Sequence, residues 1–193
     1  MKKEWFESWF DTVYYHKLYK NRDNKEANFF ILNLIRYLKP NKNAKILDLA
    51  CGKGRHSKFL SNLGYNVVAA DIDQEKLNHF NGKLIQKRVI DLENVNNWPL
   101  EKKKFNVIIV TNFLNRAIFP LIISSIKKDG YLIYETFSEG HQRIGRPTNP
   151  KYILKPRELL RLSNKMQLVA YENIYINNPS NHLFQRRILT KNV

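Results

Sequence analysis

The chain has 193 residues, with 33 Lys and Arg against 17 Asp and Glu and a formal net charge of +16. That length suits one α/β domain with a sizeable core and is short for two, so residues 1–193 are expected to form a single domain. No apolar run is long enough to cross a bilayer, and the single Cys51 excludes an internal disulfide framework and a CxxC metal site.

The opening MKKEWFESWFD places acids and aromatics where an export leader needs an apolar core, so a reducing cytoplasm is the expected compartment. Residues 5–38 read as two helices, one around WFESWFDTVYYHKLY and one in KEANFFILNLIRYL. In the second, Phe29, Leu32, Ile35 and Leu38 share a mostly apolar face, and Pro40 stops it. Residues 1–40 are therefore expected to form a helical cap. A strand over 44–50, a helix over 55–63, a strand over 66–72 and a helix over 74–80 follow. A third strand at 85–90 ends before Asp91, and FNVIIVTNF (105–113) is the clearest strand of all. A helix at 116–127 and the turn KKDG lead into YLIYETF (131–137). The tail holds a helix at 156–164 and two strands, QLVAYENIYI and LFQRRILT, joined by NNPSN.

Strands alternating with helices imply parallel βαβ units, and two strands around a short Pro/Asn turn imply an antiparallel hairpin. The expected fold class is α/β, a Rossmann-like, seven-stranded, mostly parallel sheet with helices on both faces and a C-terminal antiparallel hairpin.

The segment AKILDLACGKGRHSKFLSNLGYNVVAADID (44–73) carries the chemistry. A short, nearly continuous apolar strand runs into a turn containing Gly52 and Gly54, which lets backbone bend tightly and approach a ligand. Asp71 closes the next strand about twenty residues on, where a carboxylate accepts hydrogen bonds from ribose hydroxyls. These parts describe a nucleoside-binding half. The dinucleotide fingerprint G-x-G-x-x-G is incomplete, because Ser57 stands where its third glycine would be. A nicotinamide-dependent enzyme stays open as the lesser reading.

DLACGKGRHS followed by LGYNV and a strand-ending acid resembles motif I of the class I S-adenosylmethionine (SAM) methyltransferases. GRHSKFLSNLGYNV and YETFSEGHQRIGRPTNPKYILKPREL resemble the tellurite-resistance-type (TehB-like) methyltransferases. The resemblance covers roughly residues 10–190 and implies SAM as cofactor, S-adenosylhomocysteine (SAH) as product, and a small-molecule or small-anion acceptor. It also implies that Ala50, Gly52 and Gly54 contact the methionine portion, and Arg55 either reaches its carboxylate or is a solvated first-turn arginine. Asp91 with the Leu92 backbone would face the adenine, with Ile72 beside it. A helix cap in DLEN is the lesser reading of Asp91.

In a parallel sheet ligands gather at the carboxyl ends of the strands, where Asp48, Asp71, Asp91 and Thr111-Asn112 stand. Asp48 either orients the glycine loop or touches ligand. Cys51 is read as small filler within the turn. Tyr14, Tyr15 and Tyr19 are candidates to cap a sulfonium, since aromatic faces stabilise cations, although such a stripe also suits a core. Asn112, Asn115 and Arg116 are substrate candidates. Residues 138–155 lack periodicity, are rich in Gly, Pro and cations, and are expected to form a substrate lid. There His141 is the candidate base and Arg143 and Arg146 offer fixed charge to an anion. The catalytic candidates are thus His141, Asn112 and Tyr15.

The positive charge admits two readings. Lysines release counterions from nucleic-acid phosphates, which makes an RNA methyltransferase the alternative function. Codon bias explains the same excess, because the lysines travel with abundant Asn and Ile and are dispersed along the chain. The longest basic run is Lys102-Lys103-Lys104, and Arg186-Arg187 sits in a late strand. A non-catalytic SAM-binding protein is a third reading. No membrane partner is expected, and the chain would act as a monomer or homodimer.

Overall fold

A computed structural model describes residues 31–33, 35, 36, 38–93, 98–176 and 182–193. The expected N-terminal helix, with Tyr14, Tyr15 and Tyr19, lies outside the described residues, as does the turn NNPSN. Residues 31–33, 35, 36 and 38 are helical up to Lys39 and Pro40, with Ile31 buried against the sheet.

Seven strands form one sheet: β1 Lys45–Leu49, β2 Asn66–Asp71, β3 Ile85–Val89, β4 Phe105–Thr111, β5 Ile126–Phe137, β6 Gln167–Ile176 and β7 His182–Lys191. Their order is β3-β2-β1-β4-β5-β7-β6. Strands β1 to β5 pair in parallel, and β7 is antiparallel to both β5 and β6. The α/β class, the mostly parallel sheet and the C-terminal hairpin agree with the sequence reading.

Alternation along the strands sends side chains to two covered faces. Leu47, Leu49, Ile108, Val110, Leu132 and Tyr134 meet Phe119 and Ile122 of α3, the helix Phe119–Ser125. On the other face Ile46, Val67, Val107, Ile109 and Ile133 meet Ile31 and Leu60. Leu60 belongs to α1, Arg55–Asn62. The short α2, Gln74–Asn78, brings Leu77 onto Ala69 beside Phe80. These strands are covered on both sides, which is why their sequences read as apolar runs rather than as alternation. The fourth helix, α4 Glu158–Leu162, sits within the longer span expected there.

One boundary moves. The expected helix to residue 127 ends at Ser125, and KKDG is not a turn outside the sheet but part of β5. Ile126 is wholly buried and pairs with Phe105, while Val107 pairs with Tyr131, so the intervening residues are taken up by an irregularity in register. Asp129 adopts φ +62 there, and its N–H donates to the Asn192 carbonyl at 2.6 Å. Burial of one isoleucine and a hydrogen bond to the far end of the chain decide this boundary, and neither leaves a local pattern.

Candidate active site

In the order β3-β2-β1-β4 the chain leaves β1 towards β2 on one side, while β4 lies on the other. The carboxyl ends of β1 and β4 therefore flank a crevice of the kind in which open α/β sheets bind ligands. Asp91, Asp71, the glycine loop and Asn112 follow one another along that edge.

The loop from β1 to α1 folds through three left-handed residues, Ala50 at φ +53, Gly52 at φ +54 and Gly54 at φ +66. The two glycines differ in why they are needed. A Cβ on Gly54 would lie 2.5 Å from the Phe80 ring, so this glycine serves helix packing. A Cβ on Gly52 would meet nothing within 4 Å among the described residues, so that position faces open space at the edge of the crevice. The Gly52 N–H donates to Oδ2 of Asp71 at 2.7 Å, and the Asp73 N–H donates to its Oδ1 at 3.0 Å. Asp71 thus locks the loop, and an ionised carboxylate with about four acceptor sites retains capacity for ligand hydroxyls. Ile72 beside it is 54% exposed, an apolar side chain on the rim.

Asp48 shares the face of Ile46 and points beneath α1. It is 1% exposed, and its Oδ2 accepts from the Ser57 hydroxyl at 2.5 Å. Its Oδ1 is buried with no hydrogen-bond partner among the described residues. Burial pushes this carboxyl up to about 6, with the Asp71 charge adding to the rise and the Ser57 hydrogen bonds opposing it. The serine that breaks the dinucleotide fingerprint is therefore the residue that holds Asp48. Burial also raises the Cys51 thiol, with the Asp48 and Asp71 charges in the same sense, which leaves it unreactive.

At the end of β3, Asp91 is exposed and its Oδ1 accepts from the Glu93 N–H at 2.8 Å, the local capping contact that DLEN allows. Leu92 is buried, and its carbonyl accepts from Nδ2 of Asn115 at 2.7 Å. Asn115 also accepts from the Ala117 N–H at 3.0 Å, so this residue shapes the wall rather than presenting itself to substrate. Thr111 ends β4. Asn112 follows in the left-handed region at φ +55, its N–H donating to the Glu135 carbonyl at 2.8 Å and its Oδ1 buried with no hydrogen-bond partner among the described residues.

A further sequence candidate, Arg116, is held by groups of another element. The Arg116 guanidinium forks onto Glu158, with Nε to Oε1 at 2.6 Å and Nη2 to Oε2 at 3.0 Å. It also donates to the carbonyls of Lys151 and Ile153. Glu158 in turn accepts from the Lys155 N–H at 2.8 Å. Burial would raise the Glu158 carboxyl, but the Arg116 hydrogen bond and the Lys155 N–H outweigh it and hold it below the usual glutamate value. Arg116 thus fastens residues 151–158 to the end of β4. Glu158 had no signal in the sequence, since its partner lies 42 residues away.

Within residues 138–155, short 3-10 turns form at His141–Arg143 and Pro150–Tyr152. The segment is tied down at its ends by the bridge of Ser138 with Leu154. His141 is 0% exposed; its ring stacks on Phe137 at 4.4 Å between centroids and its Nε2 lies 2.7 Å from the Arg146 carbonyl oxygen. Arg143 and Arg146 are exposed. Arg55 is half-buried at the start of α1, and its charge opposes the rise at Asp48. Tyr15 lies outside the described residues. Among the described residues no His, Cys, Asp and Glu cluster could hold a metal ion.

Residues 10–139, more than half of the chain, match the family described as Tellurite resistance protein TehB. The chain belongs to that family. A probable S-adenosyl-L-methionine-dependent methyltransferase TehB of Haemophilus influenzae is 32% identical over 89 residues, 44% of this chain and 31% of that protein. The chain thus spans about a third of the curated relative's length. Its fold resembles the crystal structure of TehB from Haemophilus influenzae, with a TM-score of 0.65 at 18% identity, covering 93% of this chain and 66% of the other. It equally resembles a SAM-dependent methyltransferase from Clostridium acetobutylicum, with a TM-score of 0.67 at 15% identity and 97% coverage of both chains. The TehB match ends at residue 139, just inside the segment 138–155, so it covers the glycine loop and the strand-end acids Asp48, Asp71, Asp91 and Glu135.

Proposed function

We propose that this TehB-family chain is a SAM-dependent methyltransferase that transfers methyl to a small-molecule or small-anion acceptor. The observation that carries this reading is the glycine loop hydrogen-bonded to Asp71, with open space over Gly52 at the strand-end crevice. The residues fit the cofactor. Gly52 and Ala50 offer backbone to the methionine portion, with Arg55 near its carboxylate, and Asp71 offers acceptors to the ribose. Ile72, Asp91 and the Leu92 backbone border the adenine. The buried oxygens of Asp48 and Asn112, unpartnered among the described residues, suit the ammonium and the methyl-bearing end, with Thr111 beside them.

Bound there, SAM would supply a methyl on a sulfonium, a leaving group that keeps the bonding electron pair. The chain's own task is then to align an acceptor in line with that bond and to keep water out, which accounts for most of the rate in such displacements. The acids along the strand ends favour the positive cofactor. Arg143 and Arg146 on the exposed side of 138–155 offer charge to an anionic acceptor. His141, enclosed between Phe137 and the Arg146 carbonyl, organises that loop, and a proton released by the acceptor passes to solvent.

Isothermal titration with SAH tests the reading. Asp71→Ala should weaken binding by about 1–3 kcal/mol, the cost of lost polar pairing. Unchanged affinity would remove the assignment. SAH release with tellurite, thiols, carboxylates and amines offered in parallel would then identify the acceptor class.

A further inference from the structure

Lysines that look dispersed in the sequence converge at the end of the sheet opposite the crevice. Lys45 is the first residue of β1, Lys102, Lys103 and Lys104 form the turn entering β4, and Lys127 and Lys128 lie in the first residues of β5. These strands run parallel and adjacent, so their starts lie side by side. Four contacts fix the cluster. The Asn106 side-chain oxygen accepts from the Lys45 N–H at 3.0 Å and lies 3.5 Å from the Lys127 ammonium. The N–H groups of Lys103 and Lys104 donate at 2.9 Å to the carbonyls of Ser124 and Ser125, holding the turn against the end of α3.

Few acids among the described residues balance this end. Glu101 pairs with Lys104, and Asp129 is matched by a further cation, Lys191. Asp48, Asp71, Asp91 and Glu135, by contrast, sit at the carboxyl ends of their strands. The crowding is strong enough to act on Lys45, whose ammonium is held below the usual lysine value by burial and by the charges of Lys104, Arg88 and Lys127, which Glu101 offsets only in part. A cluster of like charges fixed by backbone contacts gains free energy when a polyanion lies along it.

We propose that this lysine-rich end binds the phosphate backbone of nucleic acid, as a docking surface separate from the methyl-transfer crevice. The charge pattern favours this occupant over a membrane, because this end is defined by exposed lysines, Lys102 and Lys103 on the turn entering β4 and Lys128 at the start of β5, rather than by a broad apolar face that could enter a bilayer. The seven residues of β4 put about 20 Å between the two ends, at about 3.3 Å per residue. Bound nucleic acid would therefore tether the protein rather than present a base for methylation.

The test is fluorescence anisotropy of the full chain with a labelled 12-nucleotide oligo-U, a matched oligo-dT, and phosphatidylserine vesicles, from 50 to 300 mM salt. The expected result is binding to both oligonucleotides, with a log–log salt slope of about −3 to −4 for roughly four to six phosphates met by a single strand. Lys102→Glu, Lys103→Glu and Lys128→Glu together should lower affinity at least tenfold, leaving SAH affinity unchanged. SAH titration reports folding of the triple variant, and adding SAH should not displace the oligonucleotide. Binding of RNA but not DNA would add 2′-hydroxyl contacts to the same surface. Salt-independent binding, stronger binding to vesicles, displacement by SAH, or loss confined to Arg143→Glu and Arg146→Glu would each overturn the proposal. The SAH arm keeps failure here distinct from failure of the methyltransferase reading.

Discussion

Gly52 and Gly54 both adopt left-handed backbone, yet substitution should affect them in different ways. Alanine at either position carries left-handed strain of about 1–2 kcal/mol. At Gly54 a Cβ would also fall 2.5 Å from the Phe80 ring, so the ring must move within a packed cluster of Ala69 and Leu77. Overpacking of that kind adds about 1–3 kcal/mol. At about 2–4 °C per kcal/mol for a chain of this size, Gly54→Ala should lower Tm by roughly 5–20 °C and Gly52→Ala by roughly 2–8 °C. Binding should rank the other way relative to stability. The Gly52 Cβ enters the space assigned to the methionine portion, so Gly52→Ala should lose at least tenfold in SAH affinity, about 1.4 kcal/mol, while staying folded. Differential scanning fluorimetry and calorimetry on both variants would read the two effects separately. A Gly52→Ala protein that binds SAH as well as the parent would refute the claim that this loop is the cofactor cradle.

Other substitutions test the remaining parts. Asp48 is held up to about 6 by burial, so in an acid the stability it contributes is present below the unfolded value near 3.9 and is lost as pH rises from about 4 to about 6. Asp48→Asn should abolish that decline, by up to about 3 kcal/mol, in denaturant titrations across this range; parallel curves for the two proteins would contradict it. If the Asp48 oxygen also faces the cofactor ammonium, SAH affinity of the parent should weaken as pH falls through about 6, and that inflection should vanish in the variant. Arg116→Lys keeps one ion pair but loses the fork and the carbonyls of Lys151 and Ile153, so it should destabilise by about 2–3 kcal/mol and open residues 143–151 to trypsin without lowering SAH affinity. His141→Phe keeps the stack on Phe137 and loses the Arg146 contact, so it should cost about 1 kcal/mol of stability. Methyl transfer falling a hundredfold with stability unchanged would return His141 to the role of base.

Position along the chain was enough to reveal the parts of the site that depend on sequence neighbours. The acid at 71 and the glycines at 52 and 54 stand at strand ends, and a strand end is visible wherever an apolar run stops. The same logic exposed Asp48, Asp91 and Asn112 as candidates, but it could not separate a side chain facing ligand from one spent on its own backbone. Asp91 contacts the Glu93 N–H two residues away, and Asn115 is divided between Leu92 and Ala117. The Arg116–Glu158 fork and the burial of His141 were invisible, because each depends on groups from another element.

By itself the sequence determined the α/β class, the parallel core with its terminal hairpin, and the glycine turn with its acid, since periodicity and strand-end chemistry are local properties. Only the tertiary structure decided which charges act together. Sheet pairing brings the starts of β1, β4 and β5 side by side, so Lys45, Lys104 and Lys127 become neighbours although they are far apart in the chain. It likewise turns Ser57 from a missing glycine into the partner of a buried carboxylate. Electrostatic energy depends on distance in space, and that distance is set by strand order, which no run of neighbouring residues encodes.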